Sequence, residues 1–252
     1  LNPRVHFNWH EYAVTQLYLH NYEEAKNAAN QSIALDEKSF WGRTTLAQIL
    51  IQESGDLQSA TKLTIGAQHG DEFDFFEAYL NARLLSRRYE EALEAARNPP
   101  ENQEIMRHRI ELSEALSAQI LHYMERHDES RMAADAALFR LKSLMAETGR
   151  DYRTDMAEAL ISALRGGKNE DIKTLVERAI STSPADAVAD FQLKYRGAKI
   201  YAIAGMATEA IAMLDPLFDP PGWTSTMKVN LDPAFDSIRN DPGFIAMLER
   251  HQ

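Results

Sequence analysis

The stretch Asn21-Tyr22-Glu23-Glu24-Ala25 decides the fold, because a closely similar stretch returns as Arg88-Tyr89-Glu90-Glu91-Ala92. Two related stretches also combine a turn, a helix start and an alanine: Gly55-Asp56-Leu57-Gln58-Ser59-Ala60 and Gly205-Met206-Ala207-Thr208-Glu209-Ala210. The alanines at 25, 60 and 92 lie 35 and then 32 residues apart. Recurrence at such a period is typical of repeat proteins, in which each unit buries its apolar face against its neighbours.

The recurring stretches resemble the turn of the tetratricopeptide repeat (TPR), a unit of about 34 residues that forms two antiparallel helices. In the first unit, roughly residues 6–39, the second helix carries Ala25, Ala29 and Ser32 at helical spacing on one face. Small side chains at these positions let the two helix backbones approach closely. The resemblance therefore implies a stack of helix pairs.

Five further units follow the first in this register. The second, third, fifth and sixth lie near 41–72, 73–98, 153–184 and 191–218. Between them, two long helical patterns at 101–126 and 129–147 match the motif poorly, with Arg131-Met132-Ala133-Ala134 where a regular unit would place its small residues. The sequence thus predicts an all-α, α-α superhelix: a TPR-like solenoid of about six helix pairs, or about 12–13 helices.

Prolines and the repeat register suggest how the chain is divided. Pro99-Pro100 stops a helix, so we predict three N-terminal units over 1–98 and three partly degenerate units over 101–218. Residues 219–252 are predicted to form an extended loop and a C-terminal cap. Because Leu1-Asn2-Pro3 aligns with Leu35-Asp36-Glu37, we expect the chain to begin at the end of an earlier repeat, as a piece of a longer polypeptide.

A second resemblance lies near the C-terminus. The sequence Leu231-Asp232-Pro233-Ala234-Phe235-Asp236-Ser237-Ile238-Arg239-Asn240-Asp241-Pro242-Gly243-Phe244, followed by Met247-Leu248, is similar to the terminal motif of repeat regions in bacterial multidomain signalling proteins. In those proteins the repeats follow a Ser/Thr kinase, a class III nucleotide cyclase or a winged-helix domain. The resemblance implies an interaction or sensory region, although no kinase, cyclase or winged-helix segment is recognisable in this sequence.

The same motif predicts a cap. Asp232 and Asp241 each precede a proline, an arrangement that favours short helices starting at 233 and 242 with aspartate as N-cap. The apolar residues between 235 and 248 would then fold back on the sixth unit near Tyr201 and Leu214. A solenoid needs such a cap because its last repeat exposes an apolar face.

Composition excludes several classes of function. The 38 acidic and 27 basic residues give a formal net charge of −11, which opposes contact with nucleic acid. The longest stretch without a charged residue, Tyr12 to Tyr22, is too short to span a membrane, and no signal peptide opens the sequence. The chain has no cysteine, which excludes thiolate chemistry and disulfides but leaves bacterial cytoplasm and periplasm both open.

The sequence contains only weak patterns for metal binding, phosphate binding or catalysis. His6 and His10 are four residues apart on a helix, but zinc needs a third protein ligand. His122 and His127 lie among charged residues, as on a solvated helix face. Gly166-Gly167-Lys168 lacks the upstream glycine of a phosphate loop and falls where a repeat has its turn. We therefore predict no catalytic residue, no cofactor and no metal.

What remains is a surface. In this repeat family the first helices of successive units line a concave groove, and the register projects ten residues into it: His10, Val14, Leu17, Tyr18, Ile49, Glu53, Glu77, Asn81, Leu84 and Leu85. Ordinary core packing is the alternative for the apolar ones, because a register error of one residue exchanges groove for core. The clamp for chaperone tails needs Lys at positions that hold His10 and Glu77, so that ligand is not expected.

These observations favour a non-catalytic TPR region of a bacterial signalling protein that binds a protein or peptide segment, apolar with one or two basic residues. One alternative is a regulatory domain that senses a small molecule between the halves separated by Pro99-Pro100. Another is an enzyme whose site the sequence does not reveal. The oligomeric state stays open.

Overall fold

The computed structural model describes residues 2, 4–69, 73–100, 109–222 and 224–251. These residues form fourteen α-helices and three short 3-10 helices, and no β-strand. The predicted all-α fold of helix pairs is confirmed: twelve helices precede residue 215, and the remaining two belong to the C-terminal segments. Within this part of the chain, no helix has both the length and the apolar composition needed to cross a bilayer.

In chain order, the helices are α1 (His6–Tyr18), α2 (Tyr22–Leu35), α3 (Phe40–Ser54), α4 (Leu57–Leu63), α5 (Phe73–Leu85), α6 (Tyr89–Arg97), α7 (Ser113–Tyr123), α8 (His127–Thr148), α9 (Tyr152–Leu164), α10 (Asn169–Thr182), α11 (Ala187–Ile203), α12 (Ala207–Leu214), α13 (Thr226–Leu231) and α14 (Pro242–Arg250). The 3-10 helices are Ala67–His69, Asp215–Leu217 and Pro233–Ile238. The first part of the helical pattern predicted over 101–126, residues 101–108, lies outside the described residues.

The chain divides into two compact units. Unit 1 comprises Leu1–Arg88 and Leu217–Asp232, and unit 2 comprises Tyr89–Pro216 and Pro233–Gln252. The division falls inside the third predicted repeat, between α5 and α6. The domain boundaries predicted at 98 and 218 follow the repeat register instead, and they stay a prediction.

The two helices of every predicted pair are joined by the same kind of turn. The turn between its first and second helix contains one left-handed residue, with φ between 58° and 74°: His20, Gly55, Arg87, Glu125, Gly166 and Gly205. The next residue then donates its N–H to a carbonyl near the end of the first helix, as Asn21 does to Gln16 at 2.9 Å and Met206 to Tyr201 at 2.8 Å. This is the Schellman arrangement that satisfies the last carbonyls of a helix. It fixes where each second helix begins.

Small side chains occupy the start of the second helices. Ala25, Ala60, Ala92 and Ala210, the four alanines of the recurring stretches, are all fully buried. Ala25 belongs to a core cluster with Leu17 of α1 and Ile49 of α3, so it lies where α2 meets its neighbours.

The fourth pair corrects the predicted register. Its helices run over Ser113–Tyr123 and His127–Thr148, and the small buried residues are Ser130, Ala134 and Ala137. Their spacing equals that of the first pair's small residues, whereas the predicted Arg131 and Met132 are exposed. The fourth pair is therefore regular although its sequence matches the motif weakly. The match is weak because Ser130 replaces alanine at the first small position. The hydroxyl of Ser130 donates to the Ala118 carbonyl of α7 at 2.8 Å.

Within unit 2, the C-terminal segment packs on α11 and α12. The 3-10 helix Pro233–Ile238 lies against α11, and α14 lies against α12. Phe235 is fully buried, with its ring 6.2 Å from Tyr195 and 5.9 Å from Phe244 between ring centres. Asp241 caps α14 by accepting the N–H of Gly243 at 2.8 Å. The capping segment thus covers the last helix pair with an aromatic cluster.

We predict that Ala25→Leu and Ala60→Leu each lower the free energy of unfolding by about 1–3 kcal/mol, because neither site has room for the added carbons. Urea unfolding of the variants measures this. Ala34→Leu adds the same carbons on the exposed side of α2 and is the matched control, expected to change little. Equal unfolding midpoints for all three variants would show that the buried alanines do not set the helix spacing.

We also predict that Phe235→Ala destabilises unit 2 by about 3 kcal/mol or more, because it empties the centre of the capping cluster. Ile245→Ala, at an exposed position of α14, serves as the control. Deleting 233–252 should lower the melting temperature further and cause aggregation by exposing α11. A truncated chain as stable and soluble as the parent would contradict the capping role.

Candidate functional site

The ten residues of the predicted groove lie on α1, α3 and α5, all within unit 1. Four of them, His10, Leu17, Ile49 and Leu85, are buried, with 8%, 0%, 0% and 5% of their surface exposed. These four are core residues, and the prediction that they face a partner is corrected. The reason is rotation: one residue of register turns a helix by about 100°, which is enough to exchange groove for core.

Six of the predicted residues remain partly exposed: Val14, Tyr18, Glu53, Glu77, Asn81 and Leu84. We call this set the unit 1 face. Its charge is smaller than the sequence suggested, because Lys26 of α2 reaches Glu53 with Nζ–Oε1 at 2.9 Å and also pairs with Glu23 at 2.6 Å. The pairing raises the pKa of Lys26, chiefly through its hydrogen bond to Glu23 and next through that to Glu53.

A row of three aromatic residues connects the first helices of successive pairs. Phe7, Trp41 and Phe75 are separated by 34 residues each, the period of the repeat. Ring centres lie 5.3 Å apart for Phe7 and Trp41 and 4.6 Å apart for Trp41 and Phe75, and both contacts are edge-on. Such pairs add stability beyond the area that they bury, and in this row Phe75 is buried whereas Phe7 is exposed. The equal spacing of the three aromatic residues was the available sequence signal.

His10 lies beside this row. Its ring centre is 4.7 Å from that of Trp41, and its Nδ1 is 2.8 Å from the hydroxyl of Thr45. Because that hydroxyl donates its own hydrogen to the Trp41 carbonyl, Nδ1 must be the donor to Thr45. Burial, and then the neighbouring His6, lower the pKa of His10 from 6.5 to about 4. His10 is therefore a neutral structural residue at neutral pH.

The chain's own segment 217–232 lies on unit 1. Gly222 donates its N–H to the Tyr18 carbonyl at 2.8 Å and accepts from Nε2 of His20 at 3.2 Å. Farther along, the Ser225 hydroxyl donates to the Gln52 carbonyl at 2.7 Å. These bonds attach a non-helical stretch of polypeptide to the C-terminal ends of α1 and α3. Within the segment 219–252, predicted to be an extended loop and a cap, Gly222 and Ser225 are thus both hydrogen-bonded to the first helices of unit 1 or the turns that follow them.

Helix α13 completes this contact. A methyl group added at Gly55 would come within 3.0 Å of the sulfur of Met227 and 3.3 Å of Leu231, so the glycine permits the close approach. Leu231 packs on the apolar cluster that includes Ile51 and Leu85. The hydroxyl of Thr224 and Oε1 of Gln52 are buried and have no hydrogen-bond partner among the described residues. The contact is thus mainly apolar, with hydrogen bonds to a few backbone carbonyls.

Other ionisable clusters have structural roles. Asp155 of α9 is almost fully buried and accepts two hydrogen bonds from Arg178 of α10, at 2.6 and 2.8 Å, and one from Arg150 at 2.7 Å. Both carboxylate oxygens are engaged, so this acid joins two helices. His6, which stands four residues before His10 on α1, lies 3.8 Å from Asp36 between Nε2 and Oδ2. Among the residues that the structure describes, no group of three or more metal-binding side chains occurs.

Comparisons with known proteins give one similarity. No family model matches the chain, and no curated protein sequence matches it. Among solved structures, the chain is similar to a tetratricopeptide repeat protein from Parabacteroides merdae ATCC 43184. The two chains share 14% sequence identity over 98% of each, with a TM-score of 0.43.

We predict that protonation of His10 destabilises unit 1 in acid. The folded-state pKa of about 4 lies below the value of 6.5 for the unfolded chain, so the unfolded state binds more protons between them. Stability from this group is present above pH 6.5 and is lost as pH falls toward 4, with a limiting slope of about 1.4 kcal/mol per pH unit. Urea unfolding at several pH values measures it.

The control for this prediction is His10→Gln, which keeps a donor for Thr45 and does not titrate. The difference in stability between parent and variant should shrink as pH falls through this window. A difference that is constant from pH 7 to pH 4 would show that His10 does not titrate with a lowered pKa.

Proposed function

We propose that this chain is a non-catalytic TPR-like region that binds an apolar, weakly basic protein or peptide segment on the unit 1 face. The observation that carries the proposal is the segment 217–232. Its hydrogen bonds to the carbonyls of Tyr18 and Gln52 are contacts between a stretch of polypeptide and the ends of these helices. A partner segment would use the same kind of contact on the adjoining, partly exposed side chains.

Charge and side-chain type support the nature of the partner. The unit 1 face combines Val14, Tyr18 and Leu84 with Glu77, and the chain carries a net charge of −11. A basic segment would be attracted by this field, which increases the rate of association more than the affinity. Lys26 pairs with Glu53, so the negative charge of Glu53 is partly neutralised within the chain.

We further propose that the region works in a bacterial multidomain signalling protein. The support is the similarity of Leu231–Phe244 to the terminal motif of such repeat regions. Its packing on α11 and α12 is consistent with a role at the end of a repeat series. Protein interaction, with no chemistry, is the function proposed for the chain itself.

A peptide-binding experiment tests the unit 1 face. Peptides enriched on the whole chain from a displayed library of random 12-residue sequences would be synthesised with a fluorophore, and binding would be measured by anisotropy. We predict that the enriched sequences are apolar with one or two basic residues. Tyr18→Ala and Glu77→Lys should each weaken binding by about fivefold or more, with unchanged melting.

Two control variants keep this test specific. Glu37→Lys makes the same charge change at an exposed position of the turn before α3 and should leave binding intact. Leu17→Ala, in the core, should lower stability instead of affecting binding selectively. If Tyr18→Ala and Glu77→Lys bind like the parent, the unit 1 face is not the binding surface.

A further inference from the structure

Unit 2 contains a cavity at the turns of three consecutive helix pairs. Its volume is about 260 Å³, and it is lined from the α7–α8 turn, the α9–α10 turn and the end of α11. The polar side chains in its wall are His122, His127, Ser130, Arg131 and Arg165, and Gly166-Gly167 provides backbone. Helices α7, α8, α9 and α11 all belong to unit 2, so the cavity is independent of the unit 1 face.

The charge of this cavity is opposite to that of the chain. Two arginines and two histidines line it, and none of its described lining residues is acidic. Across the whole sequence, acidic residues outnumber basic ones by 38 to 27. A wall with only cation-forming and neutral side chains is therefore unlike the average surface of this protein, and it is suited to an anion.

Ion pairs with nearby acidic residues do not occupy all the N–H donors of the two arginines. Arg165 bonds to Asp135 through Nε at 2.6 Å, and this bond does not engage the two terminal amino groups of the guanidinium. Arg131 lies 3.8 Å from Asp128, whose side chain is almost fully exposed, so this ion pair is weak. Neither Asp135 nor Asp128 is part of the cavity wall.

The two histidines and the start of α8 add further donors. The rings of His122 and His127 are 5.6 Å apart between centres, and burial together with His127 lowers the pKa of His122. Each imidazole offers at least one N–H, whatever its protonation state. Helix α8 begins at His127 without a side-chain cap, and its first turn, which also carries Asp128 and Glu129, adjoins the cavity.

We propose that this cavity binds the phosphate group of a small phosphorylated metabolite. Two guanidinium groups from different elements, together with two imidazole rings in the same wall, suit a tetrahedral anion with several acceptor oxygens better than a planar carboxylate. The cavity volume of about 260 Å³ lies just below the usual range for ligand pockets, so the ester is small. The sequence placed a small-molecule site at Pro99-Pro100 instead, and it assigned Gly166-Gly167-Lys168 only a turn, although Gly166 and Gly167 form part of this wall.

Calorimetric titration of the whole chain with inorganic phosphate and with glycerol phosphate tests this proposal, at constant pH and ionic strength. We expect one site in each case and tighter binding of the ester. Arg165→Gln and Arg131→Gln should each weaken binding by about tenfold. Arg140→Gln removes the same charge from an exposed position of α8 and should leave binding unchanged.

Asp135→Asn separates a binding role of Arg165 from a structural one. Removing the competing carboxylate should strengthen phosphate binding by about twofold, whereas a purely structural ion pair would make this variant bind more weakly. Three results would overturn the proposal: no heat of binding with either phosphate, equal binding by the Arg165→Gln and Arg140→Gln variants, or succinate binding as tightly as glycerol phosphate. Peptide binding on the unit 1 face is not involved in any of these outcomes.

Discussion

The structure depends on one local constraint, the turn that joins the two helices of each pair. A left-handed residue, with the following N–H bonded back near the end of the first helix, fixes the exit of the chain and the start of the second helix. Small residues such as Ala25 or Ser130 then lie at the point of closest approach. Three turns place His20, Arg87 and Glu125 in this conformation, at a cost of about 1 kcal/mol each that helix packing must offset.

The turns could be predicted from the sequence because only a few residue types fit the left-handed position and the point of closest approach. Glycine at 55, 166 and 205 and alanine at 25, 60 and 92 satisfy steric requirements that hold wherever the turn occurs. The capping motif was equally readable, since an aspartate before a proline specifies a helix start by local geometry. The fourth pair was harder to recognise, because Ser130 meets the steric requirement with a polar side chain that needs the Ala118 carbonyl as its partner.

The candidate site was less predictable because it depends on contacts between residues that are distant in the chain. Leu17 and Tyr18 are neighbours on α1, yet one is core and the other partly exposed, and only the packed helices decide between them. The return of segment 217–232 to α1 and α3 had no local signal at all. His122, Arg131 and Arg165 each look like ordinary solvated residues, and their shared cavity exists only after three turns are aligned.

In both units, the turns that join the helices of a pair lie beside another structural feature. In unit 1 the turns at His20 and Gly55 are covered by Gly222 and Met227 of the same chain. In unit 2 the turn at Gly166 borders an open cavity. A turn that must be left-handed leaves backbone groups and small residues near the surface. In unit 1 the chain's own residues cover these groups, and in unit 2 the proposed phosphate site adjoins them. The residues that determine the fold are therefore next to both of the surfaces for which binding is proposed.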